Sequence, residues 1–382
     1  MAAKAASIKA RSMRKSKMDF SIIFLTMVLV LIGLVMVYDS SYYAAQQSSL
    51  TNYDGAFYLK KQVIGMVAGI AAMLFCMFFS YEKWKKFTLP LLIAGLVLLV
   101  LVWVPGIGVE VNGAHRWIQI PPLPSIQSAE VARFALIVYF AHIMSVREKH
   151  MRKFTKGILP ILAVTVLYVG LIAFQPNLSM IAAIVILTGI MLWLGGANPW
   201  HLAIIGVCGV AGIAGMMVVM PHAFQRYLAF IDPWQDPQKN GYQLVQSLYA
   251  IGGGGWTGLG FGNSRQKFLY LPYRESDFIF AIILEEFGFI GGIFLMALYW
   301  LLIWRGVVIA ARCKDRFGRL LASGIVAMLA IQVVINIAVV TGSMPPTGIP
   351  LPFVSAGGSS LTIFMACIGI LANISKNNRA AA

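Results

Sequence analysis

A chain of 382 residues that is 59% hydrophobic and only 12% charged departs far from the roughly half apolar, quarter charged make-up of soluble domains, which excludes a large soluble core. The formal charge of +16 does not indicate nucleic acid, because that reading needs basic residues gathered on one soluble surface, and here they are dispersed between apolar runs. The four cysteines, Cys76, Cys208, Cys313 and Cys367, stand singly, without the paired spacings of zinc or redox motifs.

A basic leader from Lys4 to Lys17 precedes the first apolar run, residues 20–38. That run is longer than a signal-peptide core and reads as a retained helix. Further runs follow at 62–80, 88–104, 129–146, 158–174, 178–195, 201–220, 277–303, 320–341 and 354–374, each long enough to cross roughly 30 Å of hydrocarbon as a helix. The pattern predicts an all-α polytopic membrane protein of about ten transmembrane helices. Residues 1–19 form a basic cytoplasmic leader, 20–374 a single membrane domain and 375–382 a cytoplasmic tail.

Basic residues orient such a bundle. Six lie in the leader, three in Lys83 to Lys86, five in Arg147 to Lys156, five in Arg305 to Arg319 and two at the C-terminus, which is 21 of 30. The opposite loops hold only eight, and Arg133 lies within a span. Both termini are therefore expected in the cytoplasm. One miscounted span would swap every later loop and destroy the alternation.

The connection between the seventh and eighth spans, residues 221–276, is a large extracytoplasmic loop rich in Gly, Tyr and Gln, and long loops commonly carry function. A second loop on that side holds Asn112, His115, Arg116 and Trp117, and a third carries the Pro-rich run from Met344 to Phe353. Together they are placed to roof one site. The glycine run Gly252 to Gly262 matches a dinucleotide fingerprint only formally, with no strand before it. No inverted repeat of the kind seen in transporter halves is visible.

Asp277 is the leading candidate for chemistry, at the junction of the long loop and the eighth span, after Arg274, Glu275 and Ser276. Ser276 and Asp277 suit a helix cap, and a carboxylate at a membrane boundary also suits a general base acting on a bound hydroxyl. Glu285 and Glu286 follow within an apolar helix, where charge is costly. At about 100° per residue, Glu285 is rotated about 80° from Asp277 and Glu286 about 180°. A bond to another span and a substrate contact remain equal readings for this pair. Glu130 and Arg133, three residues apart on one helix face, suit a structural ion pair. Arg116, Arg226, Arg265, Lys267 and Arg274 suit a phosphate-bearing ligand, and also lipid headgroups. Trp117, Tyr227, Trp234, Tyr242, Tyr249, Trp256, Tyr270 and Tyr273 are the aromatic belt of an interface as readily as a sugar platform.

Several motifs then coincide: Arg226 to Ala229 with Phe230-Ile231-Asp232-Pro233-Trp234; Gly241-Tyr242-Gln243 and Gln246-Ser247-Leu248; Ser264-Arg265-Gln266-Lys267; Tyr270-Leu271-Pro272; Asp277-Phe278-Ile279-Phe280-Ala281; and Glu285-Glu286. With Asn112-Gly113-Ala114, Arg116-Trp117-Ile118, Pro345-Pro346-Thr347-Gly348, Leu351-Pro352 and Gly357-Gly358-Ser359-Ser360, they resemble the SEDS family of FtsW, RodA and SpoVE proteins over essentially the whole chain. The resemblance implies a ten-helix bundle that polymerises lipid II into glycan strands beside a class B penicillin-binding protein, a transpeptidase, among other divisome proteins. It implies Asp277 as the base that deprotonates the acceptor sugar. Arg116, Trp117, Arg226, Gln246, Ser247, Ser264, Lys267 and Glu285 become substrate-binding candidates, and a divalent cation, Mg or Mn, a possible assistant. A lipid II flippase and a non-catalytic scaffold are the competing readings.

The segments from Asn112 to Trp117 and from Met344 to Phe353 are closest to the FtsW and SpoVE branch, whereas Arg274 to Asp277 also resembles RodA, so division is favoured over elongation. Ser128 and Ala129, Asn177, Ser179 and Ala356 depart from the family pattern, and no role is transferred to Asn177.

Overall fold

The structure is a computed structural model, which describes residues 18–111, 114–119, 125–219 and 221–377. Asn112, Gly113, the basic leader up to Lys17 and the tail from 378 lie outside the described residues. Twelve α-helices are present among those described: α1 (Phe20–Gln47), α2 (Phe57–Phe78), α3 (Thr88–Leu101), α4 (Ser128–Val146), α5 (Leu159–Phe174), α6 (Leu178–Leu194), α7 (Pro199–Val219), α8 (Pro221–Ile231), α9 (Tyr242–Gly254), α10 (Ile279–Arg312), α11 (Arg316–Val340) and α12 (Gly358–Asn377). All but α8 and α9 coincide with the ten expected spans. Eight helical stretches have the length and hydropathy of membrane spans, and α3 and α6 are shorter apolar helices. The chain is thus a polytopic membrane protein.

Three features differ from the expected boundaries. α1 runs to Gln47, nine residues past its apolar stretch, through the polar segment from Asp39 to Gln47. The segment 221–276 is not a bare loop, since it contains α8 and α9. Among the helices sits a three-stranded antiparallel sheet of β1 (Gly108–Val111), β2 (Ala114–Ile118) and β3 (Ile126–Gln127), in the order β1-β2-β3. Its register pairs Val109 and Gln127 with Trp117.

α11 and α12 form the centre. α12 approaches α2 closely enough that a Cβ on Gly65 would meet Gly358 Cα at 2.6 Å, and one on Gly369 would meet Met73 O at 2.2 Å. Small residues allow such contact where no aqueous driving force holds helices together. α7 stands off the core, packed on α6, with its central stretch unburied.

The glycine run rejected as a nucleotide fingerprint finds its explanation in α10. That helix is broken at Gly288, where φ is 66° and ψ is −169°, a conformation open essentially only to glycine. A break at membrane depth frees backbone donors and acceptors that must be paired within the protein. Leu259 N and Gly260 N donate to the carbonyls of Glu285 and Glu286 at 3.0 Å each, and Phe289 N and Ile290 N donate to those of Gly255 and Trp256 at 2.9 and 3.2 Å. Side chains would wreck this approach: a Cβ on Gly258 would lie 2.1 Å from Glu286 O, and one on Gly254 2.0 Å from Leu284 O.

Gly288→Ala is accordingly expected to destabilise the fold by about 1–3 kcal/mol or more, whereas Gly206→Ala, in an open part of α7 where the new Cβ meets nothing within 4 Å, is expected to be neutral or mildly stabilising. Thermal unfolding of both variants in nanodiscs checks this. Equal melting temperatures would contradict it.

Candidate active site

The connections Lys83 to Lys86, Arg147 to Lys156 and Cys313 to Asp315 lie at one end of the bundle; the sheet, α8, α9 and the segments 255–278 and 341–357 gather at the other. Asp277 lies at this second end, just before α10. The N-cap of α10 is Phe278, with no side-chain cap bond. The capping role open to Asp277 in the sequence is therefore not taken up, and its carboxylate is not spent on the helix terminus.

The backbone around Asp277 is pinned at three successive carbonyls. Glu275 O accepts from Ala356 N at 2.8 Å, Ser276 O from Ser355 Oγ at 2.5 Å, and Asp277 O from Asn336 Nδ2 at 2.8 Å. Asn336 Nδ2 also donates to Ile349 O at 2.8 Å. One turn earlier on α11, Gln332 donates to Pro350 O at 3.0 Å and accepts from Arg133 Nη2 at 2.6 Å. Two buried amides, four residues apart on one face of α11, thus hold both Asp277 and the Pro-rich run beside it. That run lies beside the half-buried carboxylate: a Cβ on Gly348, at φ 70°, would lie 3.5 Å from Asp277 Oδ2.

Cations approach from two sides. Arg116, on β2, is fixed by donating from Nε to Gln175 O at 3.2 Å and from Nη2 to Pro176 O. Arg226 is presented by α8 with its side chain exposed. The Asp277 carboxyl is pushed up to about 7, first by burial and then by the nearby Glu275, against the opposing positive fields of Arg226 and Arg116. Burial likewise lowers Arg116 from the usual guanidinium range, as does Arg226, while Asp277 works against both. Asp277, Arg116 and Arg226 therefore form one electrostatic unit. Glu275 and Asp277 are the acidic oxygens it offers; among the described residues no group of three or more His, Cys, Asp or Glu side chains is close enough to hold a metal ion.

The other candidates lie elsewhere. Ser264, Lys267 and Glu285 have protein partners of their own: Glu285 accepts from Ser264 Oγ, from Arg265 N at 3.0 Å and from Gln266 N at 3.3 Å, and Lys267 Nζ pairs with Asp39 at 2.7 Å and Glu286 at 3.0 Å. The Glu285 bonds lie within the protein but run to the 264–266 segment, not to another span as one of its two readings expected. Ser247 Oγ donates to Val340 O at 2.8 Å and ties α9 to the end of α11, beside the half-buried Gln246. Trp117 follows Arg116 on the strand, so the two side chains leave opposite faces of the sheet.

Arg133 and Glu130 are both buried, but Arg133 bonds to Gln332, and the Glu130 carboxylate lies by the Ser359 and Ser360 hydroxyls; among the described residues the expected direct pair does not form. Asn336, Ser355 and Asp39 went unselected in the sequence. A Gln and an Asn at 332 and 336 inside an apolar span were the available signal.

Removing the Arg116 charge should raise the protonation midpoint of Asp277 above about 7, because less positive potential then favours the carboxylate. Isotope-edited infrared titration of native protein and Arg116→Gln checks the direction, and a lower or unchanged midpoint would contradict it.

Comparison with known proteins bears on what this geometry belongs to. The family model for FtsW, RodA and SpoVE, described as "Cell cycle protein", matches residues 19–380. Stage V sporulation protein E of Bacillus subtilis (strain 168) is 40% identical over 366 residues, covering 96% of this chain and 99% of the relative. A "Probable peptidoglycan glycosyltransferase FtsW" of Trichlorobacter lovleyi is 38% identical, covering 96% of each. Among solved structures, a chain reported under "Structural coordination of polymerization and crosslinking by a peptidoglycan synthase complex" superposes with a TM-score of 0.77 at 29% identity, covering 96% of this chain and 99% of that one. Thermus thermophilus rod shape determining protein RodA gives 0.67 at 27% identity, with 96% and 98% covered. The chain therefore belongs to the SEDS family of FtsW, RodA and SpoVE proteins.

Proposed function

We propose that the chain is a peptidoglycan glycosyltransferase that polymerises lipid II into glycan strands at the outer face of the bacterial cytoplasmic membrane. The observation that carries this reading is the unit of Asp277, Arg116 and Arg226, at the end of the bundle opposite the basic connections, which the charge rule for membrane proteins assigns to the extracytoplasmic side. The names of the relatives point the same way.

In this reading Asp277 is the general base. Its ionised carboxylate accepts the proton of the acceptor sugar hydroxyl as that oxygen attacks the anomeric carbon of the donor. The bond from that carbon to the pyrophosphate oxygen breaks, and undecaprenyl pyrophosphate leaves with the electron pair. A carboxyl titrating at about 7 suits a base, since proton transfer is most effective when the pKa lies near the working pH. Arg116 and Arg226 offset the negative charge gathering on the leaving group, as preorganised cations do best in a site poor in water. The donor set of Glu275 and Asp277 also suits a divalent cation such as Mg or Mn, which would supply further charge at the pyrophosphate.

Partnership with a class B penicillin-binding transpeptidase and other divisome proteins, and a role at the division septum, belong to the same proposal. Support comes from the FtsW-named relatives and from the synthase complex to which the 0.77 superposition belongs. A sporulation setting is the alternative supported by the 40% identical relative. Flipping of lipid II gains less support, because the candidate chemistry collects at one end of the bundle.

The test is polymerisation of purified lipid II by the native chain with its transpeptidase partner, compared with Asp277→Ala and Asp277→Asn. Both variants should lose at least about 100-fold in rate without loss of thermal stability, because neither removes a helix cap. Native-like synthesis by a folded Asp277→Ala chain would sink the assignment of the base.

A further inference from the structure

The polar extension of α1 is unaccounted for by membrane crossing. Its residues Asp39, Ser40 and Tyr43 meet one short arch of the segment that leads to Asp277. Lys267 Nζ binds Asp39 Oδ1 at 2.7 Å, with side-chain exposures of only 7% and 11%. Arg274 Nε donates to Ser40 O at 3.1 Å. The rings of Tyr43 and Phe268 meet edge to face with centroids 4.9 Å apart.

The three contacts grip the two ends of the arch from Lys267 to Arg274. Between its ends the arch turns through two left-handed residues, Leu269 at φ 71° and Tyr273 at φ 53°. Leu271 N donates to Gln266 O at 3.0 Å, and Ser276 N and Phe278 N to Tyr273 O at 3.1 and 3.2 Å. Position is thereby passed from α1 through the arch to the residues on both sides of Asp277. Non-glycine residues hold left-handed conformations at a cost and persist there when their surroundings fix them. Lys267 Nζ also binds Glu286 at 3.0 Å, so α1 is joined through the arch to α10 at a buried charge.

We propose that Asp39 is a positioning residue for Asp277, acting through Lys267 and the arch from 267 to 274. The buried ion pair is what makes the grip directional. A lysine ammonium out of water needs carboxylates in reach; Glu286 supplies one on α10 and Asp39 the second on α1, outside the arch. Ser40 and Tyr43 then fix the remaining freedom. Asp39 itself touches no reacting atom.

This inference rests on Asp277 being the base, so the experiment has an arm that does not. Hydrogen–deuterium exchange of the full chain in nanodiscs is compared for native protein, Asp39→Ala, Asp39→Glu and Tyr43→Ala, and lipid II polymerisation is measured per folded molecule on the same samples. Asp39→Ala should raise exchange at least tenfold across 268–278, where the amides report the arch, and leave α11 unchanged. It should also lower kcat at least tenfold with KM for lipid II within twofold. Asp39→Glu should restore part of both, and Tyr43→Ala, which removes only a partly exposed ring contact, should show the same pattern more weakly.

Unchanged exchange across 268–278 in Asp39→Ala overturns the proposal, as does exchange raised uniformly over the whole chain with kcat per folded molecule intact. Should Asp39→Ala fail to fold, Tyr43→Ala and Asp39→Glu decide by the same two readouts. A native chain that makes no glycan would remove the proposed function while leaving the exchange result to judge the grip.

Discussion

The carboxylates and carbonyls of Glu285 and Glu286 organise everything around Asp277. Both backbone oxygens accept from the glycine-rich segment at Leu259 and Gly260. Their side chains accept from the next stretch, at Ser264 N, Arg265 N and Gln266 N, and from the Lys267 ammonium. Two consecutive residues of one broken helix thus hold the incoming chain from Leu259 to Lys267. A backbone that leaves regular structure near hydrocarbon must have every polar group paired, and here that requirement fixes the path of the segment carrying the site. Charges that looked costly inside an apolar helix are stabilised by the donors they gather.

From that frame the remaining supports follow in sequence. The arch after Lys267 reaches α1, the residues around Asp277 reach α11 and the 355–356 segment, and the Pro-rich run lies beside the carboxylate near Gly348. Rigid elements therefore bear the site from three directions, and Arg116 arrives from a separate sheet tied to the turn at Gln175 and Pro176. Such support keeps a reacting group in place without reorganisation at the moment of reaction. The elevated Asp277 titration follows from the same surroundings, since a carboxylate partly withdrawn from water beside the Gly348 turn and close to Glu275 is harder to ionise than one in water.

Much of this was legible in the chain itself. Apolar length placed ten helices, eight of them long enough to span, because hydrocarbon thickness sets a physical ruler, and Asp277 stood out as an acid at a span boundary. What was not legible depended on partners remote in sequence. The helical angle between Asp277 and Glu285 could not reveal that Glu285 faces Ser264, nor could the spacing of Glu130 and Arg133 reveal that Gln332 would take the guanidinium. The end of α1 was missed because Asp39 to Gln47 is polar, and polarity marks where a helix leaves the membrane rather than where it stops. The small sheet escaped because its strands are short and lie among turn-forming residues.

The claim at the centre is that Asp277 moves a proton rather than holds the substrate. The most direct test is equilibrium binding of lipid II to native protein and to Asp277→Asn in nanodiscs, with polymerisation followed on the same preparations. Kd values agreeing within about twofold while synthesis is lost would match the account, since the amide keeps the shape and removes only the basic oxygen. A Kd weakened tenfold or more, in step with the lost synthesis, would contradict it and make Asp277 a binding group.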